Sequence, residues 1–578
     1  MKVLAWLHCP RGRFNDELRT ENNVKLVQTR AAIAVLAISG LALAGCASGS
    51  RGGDAGGAGN GAGGEATELL QTTPAPNGTA DKVTWNSTYG ELASLDPVKA
   101  FNYPENTIVA NLCESLFQIQ PDLSVQPNLA TEANTDDGKV WVLSLRDDVE
   151  FWDGSPMTVD DVVFSLNRHI VPSEGSYWGG GVVSNIDSVK ASGDHEITIT
   201  LKSPDYTLPS SLSTIIGVVA QQKQREAAGE NYGNPDTGVM CTGPLQFTPG
   251  NWKQGQAITL DRFDGYWNED KRAKAKQVEI GFVVDATAIA NGLSTGEIQG
   301  SYDVPLPALS QLESSSTGTL FAGEGMQDMA IISTGEGLFG DPVVRRALTK
   351  ATDRQAIADT VYEGTGTVAR SVIPQSAWDA IEGVAELRDE KLPDLSFDIE
   401  AAKQELESVN VDLSKPIKIA YPSERSFYAD ILNEMANGAK ELGITLEPTG
   451  VPSAQFGAFF SDPEARKGYD GFVTTNYLSA PDPLLHLISI AKTGSDQNYA
   501  QFSDAEVDAA LDAAIAESDA QKRAELTVEA EALIMAAQPW VPINDLAVRM
   551  YMDNSITGAP ASFVYLYYPW AADLGATE

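Results

Sequence analysis

From Asp81 onward the hydrophobic period of the sequence keeps switching, and this constrains the fold more than any other feature of the chain. Val140–Leu145 (VWVLSL) is a dense run with β-branched and aromatic members, the pattern of a buried strand. Residues 195–202 (HEITITLK) and 256–263 (QAITLDRF) alternate apolar and polar residues, as half-exposed strands do. Residues 82–86 (KVTWN) read as a first strand. Between such runs lie helix starts. Thr158-Val159-Asp160-Asp161 resembles a capping box, and Val162, Val163, Leu166 and Ile170 then share one helical face. Asp160 and Asp161 at that helix start are expected to complement its dipole. Asp341 before Pro342 marks another N-terminus, and Ser503-Asp504-Ala505-Glu506 reads as a capping box ahead of Val507, Leu511, Ala514 and Ile515. Residues 521–538 continue as a helix that stops at Pro539. Alternating strands and helices without a fixed repeat place the chain in the α/β class.

The N-terminal region follows different rules. Residues 31–44 (AAIAVLAISGLALA) are apolar and follow Lys25 and Arg30. This run is shorter than the ~18 residues that a bilayer span needs, and it suits the apolar core of a signal peptide. It ends in Leu43-Ala44-Gly45-Cys46, which resembles the lipobox of bacterial lipoproteins and marks Cys46 as the lipid attachment site. Residues 1–45 are therefore expected to be removed. Residues 47–66 are nearly all Gly, Ala and Ser, a composition that cannot bury enough apolar surface to fold. Residues 46–80 are expected to form a lipidated tether spanning about 30–35 Å.

The charge balance excludes other classes. Lys and Arg number 40 against 79 Asp and Glu, a net charge of −39. Such a surface repels phosphate backbones, so no nucleic-acid partner is expected. With four Cys and four His in the whole chain, a multi-cysteine zinc scaffold is ruled out, and no metal or cofactor is expected. There is no GxSxG elbow, HExxH, Walker A or GxGxxG. His195 reads as a surface residue, His169 as a helix C-terminal residue and His486 as a packed one. No enzyme activity is expected. Cys113 and Cys241 either pair as a disulfide or remain two buried thiols.

A series of short motifs then arrives in a recognisable order. Leu95-Asp96-Pro97 precedes 111–117 (NLCESLF), and the most specific stretch is 145–162 (LRDDVEFWDGSPMTVDDV). Thr242-Gly243-Pro244, Tyr266-Trp267, Gly296-Glu297-Ile298, Val344-Arg345-Arg346-Ala347-Leu348 with Asp353-Arg354, and Asp482-Pro483 follow. From about residue 81 to about 560 the chain resembles extracellular solute-binding protein family 5, the peptide and nickel binding proteins of ABC transporters. The resemblance implies a two-lobe periplasmic-binding-protein-like fold of the large, peptide-binding type II, with a hinge between lobes. Lobe I would comprise 81–325 plus 545–578 and lobe II 326–544, with the chain crossing near 320–332 and 538–548.

The resemblance also implies a function: an extracytoplasmic, lipid-anchored, monomeric receptor that captures a peptide-like solute between its lobes and delivers it to a membrane permease and ATPase. Trp85 and Tyr89 after the first strand, and Tyr177 and Trp178 after the 158–170 helix, are expected at the cleft wall; each could equally be an ordinary core aromatic. Thr475, Asn476, Tyr477, Ser479 and Asp482 are expected to line the opposite wall. Peptide binders of the family place an Asp where this chain has Ser479, and that Asp anchors the peptide's ammonium. A neutral hydroxyl cannot offset a buried ammonium. The ligand is therefore expected to be a blocked or longer peptide, an oligosaccharide or a metal chelate. Nickel is disfavoured because His486 lacks a second His. A sensor and a tethered hydrolase are the remaining alternatives.

Overall fold

The computed structural model describes residues 69–378, 381–478, 480–495 and 497–578. The signal segment, Cys46, the tether up to residue 68, and Ser479 lie outside the described residues. The fold is mixed α/β, built on a 12-stranded sheet. Its spine runs through Leu446–Val451, Ile417–Pro422, Gly471–Tyr477, Gly318–Ser333, Trp540–Asp553, Gly300–Ser301, Val83–Asn86, Gln277–Gly281, Ala257–Arg262 and Leu245–Gln246.

Two long antiparallel strands, Gly318–Ser333 and Trp540–Asp553, occupy the centre. They stand where the chain was expected to cross. Residues 318–323 pair with 548–553, beside Gly300–Ser301 and Val83–Asn86. Residues 327–332 stay paired with 540–546, and residues 327–333 also pair with Gly471–Tyr477 on their other edge. A register shift between Gly323 and Gln327 separates the half flanked by Trp540–Asp553 alone from the half that Gly471–Tyr477 flanks as well. Such an irregularity bends a strand and increases its twist. Two crossing strands with a bend at one level join the two parts of the sheet without interrupting it.

A four-stranded antiparallel sheet, Ala130–Asn134, Val140–Leu145, Glu196–Leu201 and Ile186–Gly193, carries a second core with Trp141, Phe151, Leu166 and Ile199. The helix Val159–Ile170 covers it. Thr158 Oγ1 accepts from Asp161 N while the Asp161 carboxylate accepts from Thr158 N, so the capping box is complete. Asp341 likewise accepts from Val343 N ahead of Pro342. At Ala505–Ile515 the cap is Asp504, whose carboxylate accepts from the amides of Glu506 and Val507. The expected start at Ser503 is thus one residue early. Cys113 and Cys241 are joined by a disulfide.

The tether expected to reach residue 80 ends earlier. Leu70 N donates to Ala322 O, and Glu324 N donates to Leu70 O, on the bent part of the crossing strand. Thr73 Oγ1 donates to Ala559 O and accepts from Gly558 N, and Asn77 N and Gly78 N both donate to Ala576 O. Backbone bonding, rather than apolar content, fixes this stretch.

Candidate functional site

Strand Gly471–Tyr477 positions the site. It pairs with Gly318–Ser333 along its whole length, but its other edge meets Ile417–Pro422 only at Gly471 and Phe472. Among the described residues that edge has no neighbouring strand from Val473 to Tyr477, and these residues line a cavity of about 540 Å³. The opposite wall comes from early parts of the chain: Tyr89, Phe101, Asn102, Tyr103, Tyr177 and Trp178.

Aromatic contacts shape that wall. Tyr89 stacks on Tyr103 with centroids 4.3 Å apart, and Phe101 stacks on Tyr177 at 4.5 Å. Tyr103 meets the edge of Tyr477 at 5.1 Å, and Tyr477 Oη donates to Phe101 O at 2.7 Å, so the two walls touch. Trp178 Nε1 donates to Ala100 O at 2.8 Å, which fixes its ring. Phe101 and Tyr177 stay 43% and 42% exposed, at the rim. Stacked, anchored rings offer apolar area at low entropy cost. Burial raises the Tyr89, Tyr103 and Tyr477 hydroxyls far above the ordinary phenol range, so all three act as neutral hydrogen-bonding groups.

One charge enters this aromatic space. Arg425 follows the strand Ile417–Pro422, at its carboxyl end, and its guanidinium lies 5.2 Å from the Tyr89 ring centroid. Its side chain is exposed and lines the cavity. No carboxylate pairs with it among the described residues. Burial opposes its charge, but the hydroxyls of Tyr428 and Tyr89 hold its pKa above the ordinary value. The neighbouring Glu424 is committed elsewhere: its carboxylate accepts from Ser453 N and Oγ, which brings its pKa down to about 2. Tyr428 Oη bonds Thr475 Oγ1 at 2.8 Å and accepts from Thr475 N at 3.1 Å, tying this loop to the open strand edge.

A second cavity of about 580 Å³ adjoins the first, with Tyr177, Trp178, Phe460, Gln497 and Tyr499 lining both. Its walls are more polar, with Ser184, Asp205, Ser211, Thr214 and Ser489.

Of the residues expected at the site, Tyr89, Tyr177, Trp178, Thr475, Asn476 and Tyr477 line the first cavity. Neighbouring Asn476 and Tyr477 point their side chains apart, as strand alternation requires. Asn476 Nδ2 donates to Asp328 Oδ1 at 3.0 Å across the sheet, while Tyr477 reaches Phe101. Trp85 is a correction: it is 2% exposed and packs on Tyr302 and Trp570 in the core. Asn86 is also buried, held by Val283. Asp482 is a second correction, because it caps the helix Pro483–Ala491 through Leu484 N and lies outside the aromatic cavity. Burial raises its carboxyl to about 6. His169 lies in the last turn of Val159–Ile170, as expected; its Nδ1 bonds Ser176 Oγ, and burial with Arg168 beside it lowers its pKa to about 4. His486 is buried against Trp540, with a pKa lowered by burial to about 4. Arg425, Tyr103 and Tyr428 were not anticipated. Position at the carboxyl end of a sheet strand is the signal that marks Arg425.

Residues 124–498 match the family model described as "Bacterial extracellular solute-binding proteins, family 5 Middle". Heme-binding protein A of Haemophilus influenzae is 26% identical over 448 residues, 72% of this chain and 78% of that protein. Glutathione-binding protein GsiB of Salmonella paratyphi A is 24% identical over 461 residues, 78% of this chain and 86% of that protein. Among solved structures, the periplasmic binding protein DppA of Helicobacter pylori, in complex with the peptide STSA, superposes with a TM-score of 0.73 at 19% identity, covering 86% of this chain and 99% of that one.

Proposed function

We propose that this chain, which belongs to the bacterial extracellular solute-binding proteins of family 5, captures a peptide-like solute as an added strand along residues 473–477. As a family member it is a substrate-binding protein of an ABC importer for peptides or related solutes, working with a membrane permease and an ATPase. The single observation that carries the finer reading is the edge of Gly471–Tyr477 beyond Phe472, which no strand among the described residues covers, which meets Tyr428 Oη at Thr475 N, and which faces a cavity walled by aromatic rings. An extended peptide added to such an edge gains main-chain hydrogen bonds whatever its sequence, and roomy pockets take its side chains. Arg425, a cation without a carboxylate partner, supplies an anchor for an anionic group such as a carboxylate.

In this reading residues 81–325 with 545–578 and residues 326–544 act as two lobes. They hinge at the bend in the crossing strands and close on the solute. Water is excluded and no bond is broken, so the protein is no enzyme. Cys46 carries a lipid that holds the monomer at the outer face of the cell membrane. Among the described residues no helix is long and apolar enough to cross a membrane.

Calorimetric titration with alanine peptides of three to five residues tests the capture reading. Saturable binding of any of them at one site per chain is expected. A folded protein that binds none of them, free or blocked, would overturn it.

A further inference from the structure

The second cavity holds a charge that the fold itself does not explain. Asp205 stands on the loop between the strand Glu196–Leu201 and the short helix Leu208–Ser211, and it is 1% exposed. Its Oδ1 accepts from Thr207 N at 2.7 Å and from Thr207 Oγ1 at 2.6 Å, closing a turn. Its Oδ2 has no hydrogen-bond partner, and the residue lines the cavity. Burial raises this carboxyl above its ordinary range.

The turn alone does not require a carboxylate. An asparagine would offer Thr207 the same oxygen without a charge to bury. A buried charge lacking a partner is costly, and its cost falls only when a counter-charge arrives. Among the described residues no cation forms an ion pair with it. Lys202 Nζ donates to Ser184 O, and Lys492 pairs with Asp512. Arg523 is near enough to oppose the rise in the Asp205 pKa, but its Nη1 donates to Glu517 O and Ser518 O and it makes no ion pair with Asp205. Asp482 adds a second negative charge to the neighbourhood. The loop is held in place as well: Tyr206 N donates to Ile515 O at 3.1 Å, at the end of the helix Ala505–Ile515.

We propose that Asp205 is the cation-binding pole of the cleft, receiving an ammonium or guanidinium group of the captured solute while Arg425 receives an anionic group in the adjoining cavity. The inference rests on the capture reading above and names the solute class, a zwitterion with separated charges. It also places cation recognition away from position 479, where the neutral serine stands.

The test pairs tri-, tetra- and pentaalanine with their N-acetylated forms, titrated calorimetrically into wild type and Asp205→Asn. Wild type should prefer the free amine by about 30-fold or more, the scale of a buried charge pair losing one partner. Asp205→Asn keeps the Thr207 turn; it should lose that preference while binding acetylated peptides as wild type does. A wild type that binds both forms equally, or a variant that keeps the preference, overturns the proposal while leaving the capture reading intact. Failure of every peptide, free and acetylated, overturns both. Should the variant fail to fold by thermal melting, the wild-type comparison decides alone.

Discussion

Asp328 shows most plainly how a single residue both fits and strains this fold. It is fully buried at the crossing, register-paired with Asn476 on one side and with Asp545 on the other. Asn476 satisfies Oδ1, but Oδ2 has no partner. Burial pushes Asp328 up to about 8, with the Asp545 carboxyl adding to the rise, and burial pushes Asp545 up to about 7. Arg354, Arg388 and Glu531 lie within electrostatic reach of Asp545, and His486 touches Asn476. The native state therefore holds protons that the unfolded chain releases near pH 4. The contribution of these two groups is fully present below about pH 4 and is lost as pH rises toward 8, because the unfolded state then binds fewer protons. Asp328→Asn should raise stability at pH 8 by roughly 1–3 kcal/mol and leave it unchanged at pH 4. Denaturant melts at both pH values measure this, and equal effects at both would contradict the assignment. Residue types are legible in a sequence, but sidedness is less so. Trp85 follows the strand pattern as expected, yet its ring lies over Gly300, where an added Cβ would come within 2.1 Å of it. That Trp85 needs a glycine on a strand more than two hundred residues away is invisible locally.

Elements with strong local signals were legible in the sequence. The helix at Val159–Ile170 and the strands Val140–Leu145 and Glu196–Leu201 follow from caps and periods close to their observed bounds. The segment 70–80 was not legible, since nothing in TTPAPNGT is apolar or periodic and its order comes from partners near residues 322–324 and 557–577. Removing residues 46–68 should leave the melting temperature unchanged. Removing 46–80 should lower it by several degrees, with Thr73→Ala alone costing about 1 kcal/mol for a buried hydroxyl hydrogen bond. Equal melting of the two truncations would show that the segment adds nothing. The disulfide joins positions 128 apart, and chain entropy assigns so long a closed loop about 4–5 kcal/mol. Its reduction should lower thermal stability without changing the cavity walls, a result that calorimetric scanning with and without reductant would read.

At the scale of the whole molecule, the order of motifs from Leu95-Asp96-Pro97 to Asp482-Pro483 made the family legible, while the solute was not. The cavity is assembled from segments 89–103, 177–178, 422–428, 453–461 and 473–499, and most of these lack pattern because loops and strand edges carry no period. Cys46→Ala should release the protein from membranes or leave unprocessed precursor. Continued membrane retention with normal processing would reject the lipid anchor. Closure on a solute should shorten the radius of gyration in small-angle scattering, and an unchanged value at saturation would count against a hinged cleft. The central claim, capture of a peptide-like solute whose anionic group sits in the aromatic cavity beside Arg425, is tested most directly by native mass spectrometry of gently isolated protein. Wild type should carry an adduct of peptide mass, and Arg425→Ala, exposed and free of ion pairs, should fold normally and lose it. A folded variant that keeps the same adduct at the same occupancy, or a wild type that carries none after incubation with a peptide mixture, would contradict the account.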